Sequence, residues 1–245
     1  MGKSNDNLMI LIPARGGSKA IPRKNIIDLQ GRPLLAWTAE VALSSQLTDH
    51  VILSTDSQEV AEIGKSLGLM VPFLRPMELA NDDTLQIEVI KHALSEMTEE
   101  RNLDFDSVML LQPTTPFRTK LTLRKAYEFF VNEKADTLIT VSEISRMDQS
   151  TIYSHPKKLQ SDLYLLHNQG VGISAPQGTL RQNFVEKWWR NGGIYIFKAS
   201  TLINKNSLYG GKTIGLSTNS IESINIDTYS DLDLANIIAL GLKGN

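Results

Sequence analysis

Cysteine is absent from the 245 residues. Its absence excludes disulfides, a thiol nucleophile and zinc–thiolate sites, although it does not by itself assign a compartment. No apolar run approaches the ~20 residues that a membrane-spanning helix needs, so no membrane partner is expected. The net charge is only −2. A general nucleic-acid binder carries a basic excess, so nucleic acid is not an expected partner either. Residues 1–7 are polar and lack the apolar core of a secretory signal, which makes a cytoplasmic location the expectation. Internal repeats and low-complexity segments are also missing. What remains is an ordinary balance, 41% hydrophobic and 21% charged, enough for a full core. The length suits one large domain or a domain with an appendage.

The apolar pattern alternates between two periods. Residues 8–12 form a continuous apolar run ahead of Pro13 and read as a buried parallel strand. Further strands are expected at 50–54, 71–74, 107–111, 137–141 and 193–197. Between them, Pro33 is placed to open a helix at its first position, with Leu34, Trp37 and Val41 on one face. Other helices are expected at 57–67, with Ser57 as N-cap, and at 84–99 and 120–132. A last helix is expected at 230–242, with Ser230 and Asp233 as a capping box. Strands alternating with helices of this length predict a three-layer α/β/α fold, a doubly wound and mainly parallel sheet covered on both faces. The pattern breaks between about 142 and 190. That stretch is irregular yet carries Tyr153, Tyr164, Phe184, Trp188 and Trp189, so it reads as an insertion within a single domain spanning 1–245. The alternation of Leu163, Leu165 and Val171 hints at short antiparallel strands there.

Ligands in open α/β sheets bind where strands end at their carboxyl side. The first such loop, residues 13–25, holds Arg15, Lys19, Arg23 and Lys24 and no acid. Gly16 and Gly17 allow backbone amides to approach a ligand, and such amides form anion-binding concavities. The combination suits a triphosphate, although neither the Walker A spacing nor a dinucleotide fingerprint is present. The plain alternative is a solvated basic loop. A second feature, Gln112-Pro113-Thr114-Thr115-Pro116-Phe117-Arg118, offers neutral hydrogen-bonding groups on a stiff turn that suit sugar hydroxyls or a carboxylate. In a third, Arg190 and Asn191 enter a strand that should be buried. In a fourth, Asn225 and Asp227 share one face of an extended segment and can offer oxygens to a hard cation. The alternative there is that Asp227 caps the following turn. Gly170 to Ala175 matches GxGxxA without the βαβ context, and His50, His92, His155 and His167 lack metal-ligand spacing, so both are read as structural.

Taken in order, these four features resemble the acylneuraminate cytidylyltransferases, also called CMP-sialic acid synthetases, with CMP-legionaminate-type relatives included. The resemblance runs from about residue 8 to 235 and rests on IPARGGSKAIPRKN, LLQPTTPFR, RNGGIYIF and IDTYSDLDLA. It implies a Rossmann-like nucleotidyltransferase fold whose inserted 142–190 segment serves dimerisation and sugar binding. It implies CTP as co-substrate, Mg2+ or Mn2+ as cofactor, a nine-carbon 2-keto sugar acid as acceptor and a homodimer. Arg15, Gly16, Gly17, Ser18, Asn25, Arg75 and Asn191 would contact the nucleotide. Lys19, Lys24 and Asp227 would act at the phosphates. Gln112, Thr114 and Arg181 would contact the acid, and Asp227 with Asn225 would hold the metal. Two departures stand out. Asn225 replaces the first of two aspartates that the family commonly shows, and a base-binding serine does not align within residues 79–84, where Gln86 falls nearby. The alternatives are a nucleotidyltransferase for another sugar acid and a non-catalytic relative with an impaired metal site.

Overall fold

A computed structural model describes residues 7–143, 157–160, 163–165 and 188–243. Strand β1 (Leu8–Pro13) runs in parallel register with β2 (Val51–Ser54) on one side and with β3 (Ser107–Leu110) on the other. The full six-stranded sheet has the order β2-β1-β3-β7-β4-β8, with β4 at Thr137–Glu143, β7 at Trp188–Lys198 and β8 at Thr213–Ser217. β4 and β8 are parallel, whereas β7 is antiparallel to β3. The sheet is therefore mostly parallel, as the alternating pattern predicts.

The continuous apolar run of β1 has a direct cause. Leu8, Ile10 and Ile12 face one core, and Met9 and Leu11 face another. The first core is filled by α1 (Leu34–Ser45), α2 (Gln58–Ser66) and α4 (Lys120–Asn132). The second is filled by α3 (Gln86–Arg101) and α5 (Ala199–Lys205). A third, smaller cluster joins Ile226 and Leu232, Ala235 and Ala239 of α6 (Tyr229–Lys243) to Ile21, Leu29 and Phe117. This cluster draws the ends of three separate loops together. Residues 142–189 form a second compact unit inserted between β4 and β7. Its described part is an antiparallel pair, β5 (Lys157–Gln160) and β6 (Leu163–Leu165).

Several local expectations are corrected. Residues 71–74 are not a strand. Only Met70 bridges to Ile52, because Pro72 has no amide hydrogen with which to continue a ladder. Pro33 is the N-cap of α1, not its first helical residue. The reciprocal cap of α6 lies two residues earlier than Ser230 and Asp233. Asp231 accepts from the Thr228 amide at 2.7 Å, and the Asp231 amide donates to Thr228 Oγ1 at 3.3 Å. Ser57 does cap α2, accepting from the Val60 amide. Neither α5 nor β8 is visible in the apolar pattern, since one is a seven-residue helix and the other a largely exposed edge strand.

Asp136 anchors the far side of the sheet. It accepts from Lys198 Nζ at 2.8 Å and from the Lys212 amide at 3.0 Å. These hydrogen bonds hold its carboxyl at about 2, below the ordinary carboxylate value of 3.8. The stabilisation is thus complete above the ordinary value and is lost as pH falls toward about 2. Asp136→Asn is expected to melt at lower temperature than the wild type at neutral pH. The gap should close as thermal denaturation is repeated at progressively lower pH.

Candidate active site

The strand order turns around at β1. The chain goes from β1 to β2 on one side and returns to β3 on the other, so a crevice opens beyond the carboxyl ends of β1 and β3. The 13–25 loop leaves β1 at this point, and the 111–118 turn leaves β3. A cleft of about 370 Å³ lies there. Arg15, Ser18, Lys24, Asn25 and Arg75 line it together with Gln112, Thr114, Asn225 and Asp227. Nine of the residues singled out in the sequence thus share one concavity, although they span more than 200 positions of the chain.

The basic loop is held by specific bonds. The Gly16 amide donates to Asp56 Oδ1 at 2.9 Å. A Cβ at residue 16 would come within 2.7 Å of Ser57 Cβ, so this approach requires glycine. Asn25 is buried and closes the loop by donating Nδ2 to the Arg15 carbonyl at 2.9 Å. Asp56 also lies 3.7 Å from Arg75 Nη2. Arg75 is 5% exposed, and its Nε and Nη2 make no hydrogen bond among the described residues. Burial pulls its guanidinium below the ordinary value, and Asp56 opposes that shift. A buried donor pair at a cleft wall is suited to an acceptor brought by a ligand.

The opposite wall is stitched across the chain. The Ile226 amide donates to the Thr114 carbonyl at 2.8 Å, tying the β3 turn to the segment ahead of α6. Lys24 Nζ reaches that segment too, at 3.0 Å from the Ile226 carbonyl and 2.9 Å from Asp227 Oδ1. Asn225 Nδ2 donates to Asp227 Oδ2, so both side chains do lie on one face. Asp227 does not cap α6, because Asp231 takes that role and also receives the Asp227 amide at 3.0 Å. Among the described residues no group of three His, Cys, Asp or Glu side chains is arranged to hold a metal. The donor set of Asp227 and Asn225 oxygens fits a hard cation that takes its remaining ligands from phosphate and water.

Other residues stand apart from the cleft. Lys19 is 83% exposed and pairs with Asp82 Oδ2 at 2.5 Å. Asn191 is buried at the entry of β7, with its amide spent on the fold. Its Oδ1 accepts from Thr140 Oγ1 at 2.7 Å, and its Nδ2 donates to Thr218 Oγ1 and Ser223 Oγ at 2.7 and 2.9 Å. Gly16 and Gly17 belong to the loop but do not line the cleft. Arg181, His155, His167 and the GxGxxA match fall outside the described residues. His50 and His92 pack edge-on against Phe105 and Phe73, as structural residues do.

Sequence reasoning missed Asp56 and Asp82. Asp56 had a readable signal, since it follows β2 at the same carboxyl edge. Asp82 had none, because its role depends on a loop folding back across the cleft. Its Oδ1 lies 2.7 Å from Arg15 Nη2 while Oδ2 holds Lys19, and these two hydrogen bonds lower its pKa. Asp82 therefore occupies cations that an anionic ligand would use. Asp82→Asn is expected to tighten pyrophosphate binding several-fold in isothermal titration calorimetry, with the gain shrinking as salt is raised. Weaker binding would mean that Asp82 braces the two cations and does not compete for them.

Comparison with known proteins agrees with this geometry. A cytidylyltransferase family model matches residues 9–171. CMP-N,N'-diacetyllegionaminic acid synthase of Legionella pneumophila is 35% identical over 227 residues, covering 91% of this chain and 92% of that protein. Pseudaminic acid cytidylyltransferase of Campylobacter jejuni is 30% identical, covering 94% and 95%. N-acylneuraminate cytidylyltransferase of Escherichia coli O18:K1:H7 is 31% identical over 93% of this chain, which spans only 51% of that longer protein. The solved structure of a CMP:2-keto-3-deoxy-manno-octonic acid synthetase complexed with CTP superposes with a TM-score of 0.68 at 16% identity, covering 96% and 98% of the two chains, and speaks for the fold. With identity this high over nearly its whole length, the chain belongs to the cytidylyltransferase family and is a nucleotidyltransferase.

Proposed function

We propose that this enzyme activates a nine-carbon 2-keto sugar acid with CTP, giving the CMP-sugar and pyrophosphate. The observation that carries the reading is the convergence of a cationic nucleotide loop, a neutral polar turn and an acidic rim on one cleft. In the reaction the anomeric hydroxyl gives up its proton to solvent as its oxygen bonds to the α-phosphorus, and the bond from that phosphorus to the pyrophosphate oxygen breaks. Arg15, Asn25 and Arg75 would bind the cytidine side. Ser18, Lys19, Lys24 and the loop amides would meet the phosphates. Gln112 and Thr114 would meet the acid, and Arg181 is proposed to reach its carboxylate.

Charge explains the need for this machinery. CTP and the sugar acid are both anions, so bringing them together requires fixed cations around the α-phosphate. Lys24 is preset for the task, since its side chain is 14% exposed and its ammonium is anchored by the Ile226 carbonyl and Asp227. Asp227 and the Asn225 carbonyl would hold Mg2+ or Mn2+ together with phosphate oxygens. A divalent cation bound there supplies further neutralisation of the phosphate charge. We further propose that the 142–189 unit mediates a homodimer and that the enzyme is cytoplasmic.

Pyrophosphate release with CTP and Mg2+ should be measured against neuraminate, legionaminate, pseudaminate and eight-carbon acids. Turnover of one nine-carbon acid is the expected result. CTP binding without turnover of any acid would favour the non-catalytic reading. Preference for the eight-carbon acid would assign another sugar-acid branch. Lys24→Ala and Asp227→Ala are each expected to lower kcat by roughly 10²–10³-fold. Native activity and native metal dependence in Asp227→Ala would remove its proposed role. Sedimentation at micromolar concentration should show a dimer, and a monomer would count against the dimerisation role of the inserted unit.

A further inference from the structure

Arg118 is a buried charge that the proposed reaction does not use. It ends the turn after β3 and is only 3% exposed. Among the described residues it forms no ion pair, and its Nε hydrogen has no acceptor. Burial pulls its guanidinium below the ordinary value, and no carboxylate among the described residues offsets the shift. A buried cation without an acid partner is costly, and an apolar residue of similar volume would pack here at lower cost. Its presence calls for a reason beyond filling space.

The bonds it does make supply that reason. Nη2 donates to the Gln112 carbonyl at 2.8 Å and to Thr38 Oγ1 of α1 at 2.6 Å, while Nη1 donates to the Gly193 carbonyl of β7 at 2.7 Å. One planar group thus locks the Gln112 turn to a helix on one side and a strand on the other. The Gln112 side chain has one partner of its own: its Nε2 donates to Gln86 Oε1 at 3.5 Å. Gly192, beside the Gly193 carbonyl that Arg118 holds, has φ +76, a left-handed conformation that glycine adopts without strain.

We propose that Arg118 is a positioning residue for the acid substrate, clamping the Gln112 backbone from beneath so that the Gln112 amide meets the acid in one fixed orientation. The proposal rests on the reading of Gln112 as an acid contact. Lysine cannot replace the clamp, because a single ammonium lacks the forked geometry that reaches three acceptors at once. Thr38 is part of the same device, since it fixes the outer arm of the fork.

The test is a set of double-mutant cycles with CTP held saturating and the acid that the wild type turns over in the panel above. Arg118→Lys and Thr38→Val are each expected to lower kcat/KM for the acid by about fivefold or more, the worth of one well-placed hydrogen bond, while KM for CTP stays near the wild-type value. Thr38→Val keeps the guanidinium and removes one acceptor, which guards against a fold that Arg118→Lys cannot sustain. In a Gln112→Ala background both changes should lose their effect on the acid while still lowering Tm. Full multiplication of the effects in that background, or an equal rise in KM for CTP, would overturn the proposal in favour of a purely structural arginine. If Gln112→Ala alone leaves the acid KM unchanged, or no acid is turned over, the substrate reading of Gln112 fails and the proposal fails with it.

Discussion

The parallel pairing of β1 with β2 on one side and β3 on the other is the constraint on which the site depends. β1 lies inside two cores at once, so neither its register nor its direction can shift without exposing apolar side chains to water. Its carboxyl end is therefore a fixed point. The basic loop must start there, and the β3 turn must emerge beside it. The crevice between them is a consequence of chain direction, and it exists before any polar residue is specified.

What fills the crevice is mostly charge, and the protein manages that charge by pairing. Asp82 answers Arg15 and Lys19, Asp227 answers Lys24, and Asp56 answers Arg75. The exposed pairs among these contribute little to stability, about 0–1 kcal/mol each. Their value lies in holding long side chains in place beside the cleft. The pairs differ in depth. The Arg75 and Asp56 side chains are 4% and 10% exposed, whereas those of Lys19 and Asp82 are 83% and 34% exposed.

The third apolar cluster does a different job. Leu232, Ala235 and Ala239 of α6 pack on Ile21, Leu29 and Phe117, so the last helix closes over the two loops that begin the site. The Thr228–Asp231 cap then sets the start of that helix and leaves Asp227 just ahead of it. Trp37 packs edge-on against Phe117 at 5.6 Å and donates its indole hydrogen to the Leu29 carbonyl at 3.2 Å. A residue near the end of the chain is brought to Lys24 by packing, with the charge pair added afterwards.

The sequence by itself determined the layered fold, the burial of β1 and three of the segments whose residues line the cleft. Those properties follow from local periodicity, turn residues and charge density, all of which act over a few residues. It misread 71–74, where apolar residues hid the missing donor of Pro72. It placed the α6 cap two residues late, because Ser230 and Asp233 have the same spacing as Thr228 and Asp231. Only the tertiary structure separated Gln112, whose amide lines the cleft, from Asn191, whose amide is consumed by Thr140, Thr218 and Ser223. It alone revealed Asp82 across the nucleotide loop and Arg118 beneath the β3 turn. The physical reason is the same in each case. A side chain's role depends on which distant backbone or hydroxyl groups lie within hydrogen-bonding reach, and chain folding sets that distance, not residue spacing.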